Sequence, residues 1–137
     1  MHPNTSAIGL FLVALLLSSC TSTRQAVTTR TGLTYQVLAP GHGAPALPGP
    51  SVRIHETTTL VDGTLIFSTR TKETPVTFRL GASQVIAGVD EGVTGMRVGE
   101  RRKLIVPPAL SKRSEYPPNT PPDATLLIEV ELVEVIK

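Results

Sequence analysis

The sequence predicts an α+β domain: antiparallel strands sharing one core with a single short helix. Three observations carry this. Apolar residues alternate with polar ones at period two in several stretches, the mark of half-buried strands. Asp62-Gly63 lies between two such stretches and signals a hairpin turn. After Gly81 the apolar period becomes helical, through Val85, Ile86, Val89, Val93 and Met96, with Asp90 and Glu91 opposite.

Taken in order, the domain opens at Thr31, where Leu33, Tyr35 and Val37 form one face of a strand. Residues 39–50 (APGHGAPALPGP) are a proline- and glycine-rich loop. Residues 51–60 alternate again with Val52 and Ile54 inward, residues 64–68 return after the turn, and residues 75–80 add a short strand. Gly88 and Gly92 weaken the helix that follows, so packing must hold it. Val98-Gly99-Glu100 is a turn, and residues 101–106 form a strand stopped by Pro107-Pro108. Residues 111–123 are a loop with four prolines. Residues 124–136 make the longest strand, with Leu126, Ile128, Val130 and Leu132 on one face.

Ahead of this domain (31–137) the chain reads as two further segments. Residues 1–19 have the form of a cleavable signal peptide of lipoprotein type. The apolar run from Ala7 to Leu17 is too short for a bilayer span, which takes about 20 residues, but suits a signal core. Leu17-Ser18-Ser19-Cys20 follows at once and matches a lipobox, built on the chain's single cysteine. The first six residues lack the usual Lys or Arg, and an ordinary secretory signal with a chance cysteine is the competing reading. Acyl chains on Cys20 would anchor the protein in the bacterial cell envelope. Thr21, standing where Asp would mark inner-membrane retention, points to the outer membrane, facing the periplasm. Residues 20–30 then read as the lipidated cysteine and a flexible polar tether.

Thirteen basic and eleven acidic residues leave a net charge of +2, dispersed along the chain, so no nucleic acid is expected as a partner. The densest basic cluster, Arg97, Arg101, Arg102 and Lys103, reads as a solvated strand surface. One cysteine rules out an intrachain disulfide, and no His or Cys pair has ligand spacing, so no metal is expected. His55 reads as a hydrogen-bonded structural residue. Aromatic residues are scarce: no Trp, two Tyr and three Phe.

The blocks TGLTYQVL, VRIHETTTLVDGTLIFSTR, PVTFRLGASQVIAGVDEGVTGMRVGERRKLIVPP and PPDATLLIEVELVEV resemble, in order, the FKBP-type peptidyl-prolyl cis-trans isomerases. The most specific pieces are Leu80-Gly81, Val85-Ile86-Ala87-Gly88, Glu91-Gly92, Met96-Arg97-Val98-Gly99-Glu100 and the Pro-Pro-Asp-Ala-Thr-Leu run ending at Leu126. The resemblance implies a twisted antiparallel sheet of about five strands wrapped around one short helix. It also implies rotation of X-Pro bonds in proline-containing polypeptides, against an uncatalysed barrier of about 18–20 kcal/mol. Such catalysis needs no cofactor, nucleophile or acid–base pair. A dry apolar cavity favours the twisted amide, and a backbone N–H holds a neighbouring carbonyl.

Carried over to this chain, the resemblance puts Val85 and Ile86 at the pocket's helix start, with the Ile86 N–H as donor. Phe78, Ile128 and the Ile66-Phe67 pair supply further wall, and Tyr116 partly replaces a missing loop tyrosine. Val89 stands where a large apolar floor residue is usual, Glu56 where Tyr is usual, and Lys112 where a capping Tyr is usual. A one-residue bulge would decide whether Ile66 or Phe67 faces the pocket. Glu56 is either a salt-bridged structural group or a binding group for a cationic substrate. With fewer rings the pocket should be wider, wetter and slower, and macrolide binding is not expected. Two functions follow: an envelope isomerase of low turnover assisting exported proteins, or an inactive binding or chaperone module on the same scaffold.

Overall fold

The computed structural model describes residues 24–137, so the expectations on the signal segment and Cys20 lie outside it. Seven strands form one antiparallel sheet: β1 (Val27–Thr28), β2 (Thr34–Ala39), β3 (Ser51–Leu60), β4 (Leu65–Ser68), β5 (Val76–Arg79), β6 (Arg101–Val106) and β7 (Leu126–Ile136). Their spatial order is β1-β2-β6-β7-β3-β4, and β5 also pairs with β3. Two helices interrupt them, α1 (Thr69–Lys72) and α2 (Ala87–Val93), and a 3-10 turn (Pro108–Leu110) follows β6.

The alternating pattern fixes which face is buried. Ile54, Thr58, Leu104, Val106, Ile128, Val130 and Leu132 all point inward, and their registers agree: Thr58 opposes Ile128, which opposes Leu104 on its other side. A one-residue slip anywhere would turn these side chains to solvent. Helix α2 lies on this inner face and completes the core with Val89 and Val93, both buried.

The two helix glycines are required by that packing. A Cβ on Gly88 would fall 2.5 Å from a Val106 methyl, and one on Gly92 2.5 Å from a Leu104 methyl. Bare Cα atoms let the helix rest directly on β6. The sequence registers these glycines only as weak helix formers; the structure shows them as the contact surface.

Three features differ from the sequence reading. Val27–Thr28, expected within a flexible tether, pair with β2 through Tyr35 and Thr34, shielding an edge that would otherwise offer unpaired backbone. Helix α1 was not expected; Ser68 caps it, its hydroxyl accepting from the Arg70 N–H at 3.3 Å. Arg102 is not a solvated surface group like Arg97, Arg101 and Lys103. It points inward, pairs with Glu100, donates to the Gly92 carbonyl at 3.2 Å and lies 4.6 Å from the Tyr35 ring centre. Its register opposite inward Val130 forces this, and the last carbonyls of α2 give the guanidinium its partners.

Candidate functional site

Between the C-terminal half of β3, the start of β7 and the N-terminus of α2, the sheet and helix diverge and leave a hollow. Its volume is about 600 Å³, a size typical of small-ligand and peptide sites. Loop 111–123 overhangs one side.

Each apolar wall residue is placed by a local cause. Ile128 and Leu126 are inward positions of β7, and Thr58 is the inward position of β3 facing Ile128. In β4 the register with β3 shifts: Thr58 opposes Phe67 while Thr59 opposes Leu65. Ile66 is therefore a bulge residue, and Phe67 shares the inward face of Thr58. The bulge turns both side chains into the hollow, so Ile66 and Phe67 line it together. Lys72 of α1 sits behind the Phe67 ring, its ammonium 5.5 Å from the ring centre.

Val85, Ile86 and Val89 supply the helix side. Ile86 is the N-cap of α2, with φ −58° and ψ 147°. Its carbonyl accepts from the Val89 and Asp90 N–H groups, while its own N–H donates to no protein acceptor among the described residues. The hollow is thus bordered by a residue whose backbone donor has no protein partner among the described residues, next to the apolar side chains of Val85, Val89 and Ile128.

Two residues expected in the pocket lie elsewhere. Phe78 is 3% exposed and packs in the core, because β5 pairs with the N-terminal half of β3 and Phe78 opposes Val52. Tyr116 borders a neighbouring hollow with Leu60, Asp62 and Pro121, which meets the first at Pro117 and Thr120. Ser83, Gln84, Arg113, Ser114 and Glu115 line the main hollow without having been anticipated. They sit on irregular segments, where no periodicity tells which side chains turn inward.

The charged wall is the site's most unusual feature. Glu56, on the inward face of β3 opposite Val130, lines the hollow, and none of the ion pairs among the described residues includes it. Burial pushes its carboxyl above the usual carboxylate range, and the Arg113 guanidinium partly opposes that shift. The backbone of Glu56 is fixed by buried Thr69: the Glu56 N–H donates to the Thr69 hydroxyl at 2.9 Å. His55 Nδ1 lies 3.0 Å from the same hydroxyl, so this histidine braces α1 against β3. Lys112 and Arg113 bring positive charge to the rim, and Glu115 adds a second carboxylate there.

A family model described as FKBP-type peptidyl-prolyl cis-trans isomerase matches residues 43–133. The chain is 41% identical over 106 residues to FK506-binding protein 1A of Emericella nidulans, covering 76% of this chain and 98% of that one. It is 48% identical over 85 residues to the mouse peptidyl-prolyl cis-trans isomerase FKBP10, covering 62% of this chain but only 15% of that protein. Among solved structures it resembles Escherichia coli FkpA, with a TM-score of 0.72 and 35% identity, over 80% of this chain and 51% of that chain.

Proposed function

The chain belongs to the FKBP-type peptidyl-prolyl cis-trans isomerase family, and we propose that it serves the bacterial cell envelope, turning X-Pro bonds of exported proteins. In this reading it is tethered through acyl chains on Cys20 to the outer membrane, on the periplasmic side. The observation that carries the catalytic part is that Ile86, whose N–H has no protein acceptor among the described residues, lines the hollow together with apolar Ile66, Phe67, Val85, Val89 and Ile128.

The mechanism needs little more. A planar X-Pro amide is polar because of resonance, and rotation through the orthogonal state destroys that charge separation. Moving the bond from water into apolar surroundings therefore raises the planar state relative to the twisted one. The Ile86 N–H binds a substrate carbonyl beside the reacting bond and holds the chain so that one side can turn. Rotation is slow without help, tens to hundreds of seconds, and limits the folding of proteins that contain it.

Turnover is proposed to be low. Val89 leaves the floor without a ring, and Glu56 and Lys112 introduce charge where apolar area would exclude water. Support for the envelope role comes from the apolar run ending at Leu17 and the Ser18-Ser19-Cys20 sequence that follows.

A protease-coupled assay on proline tetrapeptides tests the catalytic reading. Ile86 lies within the φ range of a proline ring, about −65 ± 15°, so Ile86→Pro deletes the N–H while keeping the φ of residue 86. Against an Ile86→Ala control, its kcat/KM should fall roughly 100-fold, the scale for losing one positioned donor. A wild-type rate equal to background would leave the inactive binding-module reading in its place.

A further inference from the structure

Glu56 is a carboxylate that shares the substrate hollow with the apolar ring, and among the described residues no cation lies within ion-pairing distance of it. A structural ion pair would explain such a residue, and the described residues form none with it. Its neighbours on the inward faces, Thr58, Val130 and Ile128, offer it no charge. The charged groups that share the hollow all come from loop 111–123: Lys112, Arg113 and Glu115. Of these, Arg113 acts on Glu56 through space rather than by contact.

We propose that Glu56 is a specificity-determining residue that selects polypeptides carrying a lysine or arginine immediately before the proline. The inference rests on the isomerase reading of the same hollow. The Ile86 N–H fixes the substrate backbone at the helix side, and Glu56 lies on the sheet side of the same space. Both residues line one hollow of about 600 Å³, so a lysine's flexible four-carbon stem, on a backbone held at Ile86, can turn toward the carboxylate. The stem would run along Ile66 and Phe67, burying its methylenes, while the ammonium meets the carboxylate.

The energetics favour this occupant over a neutral one. A carboxylate in partly desolvated surroundings has lost water contacts, and an arriving ammonium restores them as a charge-assisted hydrogen bond. An uncharged side chain of the same shape would leave the carboxylate further desolvated and unpaired. Selection therefore comes from rejecting neutral residues as well as attracting cationic ones. Arg113 opposes the effect, since it already supplies some positive potential at Glu56.

The test uses the full-length chain and two peptides, Ala-Lys-Pro-Phe and the same peptide with norleucine, which is lysine's four-carbon stem without the ammonium. Equilibrium binding by calorimetry is measured alongside isomerisation, so the selectivity is read even if catalysis is absent. Wild type should bind the lysine peptide more tightly, and Glu56→Gln, which keeps the shape but removes the charge, should shrink the lysine-to-norleucine ratio roughly ten-fold. Arg113→Gln should widen it. Identical ratios in wild type and Glu56→Gln would overturn the proposal, as would a norleucine preference in wild type. Selective binding without turnover would support the role of Glu56 while overturning the isomerase reading.

Discussion

At the scale of single residues, Glu56 links the pocket to stability. Burial holds its folded-state pKa above the value of an unfolded chain, so folding binds a proton more readily there. The sign follows from linkage: this contribution to stability is fully present below the unfolded carboxylate pKa and is lost as pH rises through the folded one. Glu56→Gln, neutral throughout, should therefore match wild type in stability near pH 4 and exceed it near pH 7. Urea midpoints at the two pH values decide it, and a variant less stable at neutral pH would mean the carboxylate has a partner in the fold. The identity of the wall residues was legible in the sequence wherever they belong to strands or to the helix start: Ile128, Val85, Ile86 and Val89 line the hollow as the resemblance implies. Phe78 shows the limit. Its inward orientation follows from alternation, but whether inward means pocket or core depends on which half of β3 its strand lies against.

At the scale of elements, the helix and its supporting strand give the sharpest contrast between propensity and packing. In an isolated helix Gly88→Ala would gain about 1 kcal/mol. Here the new methyl would press on Val106, a fully buried, β-branched side chain with little freedom to move aside. The variant should instead lose roughly 1–3 kcal/mol, as overpacked cores do. A raised urea midpoint would show that α2 can lift from the sheet at no cost. The β4 bulge belongs to the same scale. Both readings of Ile66-Phe67 were compatible with the sequence, since an extra residue in one strand leaves no mark in composition or period. Only the pairing of Thr58 with Phe67 and Thr59 with Leu65 resolves them, by placing both side chains at the hollow. Helix α1 escaped the reading for a related reason: four residues are too few for a periodic signal, and its capping serine looks like the end of a strand.

At the scale of the whole molecule, the proposal of an envelope protein stands on residues outside the described domain. Metabolic labelling with a palmitate analogue should mark the wild-type protein in a bacterial host and fail with Cys20→Ala. Label persisting in that variant would remove the lipid anchor from the proposal. Within residues 24–137 no helix is long and apolar enough to cross a membrane, so the described part supplies no helical span of its own. The family fold itself was accessible from the sequence, because the alternation in β2, β3, β6 and β7 and the helical period before Met96 are local patterns repeated over many residues. Local patterns of that kind determine which side of each element is apolar, and therefore that a sheet and a helix must share a core. What the tertiary structure alone decided is where two apolar faces stand apart instead of touching. That gap sets which residues surround Ile86 and leaves Glu56 without an ion-pair partner among the described residues, because each depends on distances between segments remote in the chain, which no run of neighbouring residues encodes.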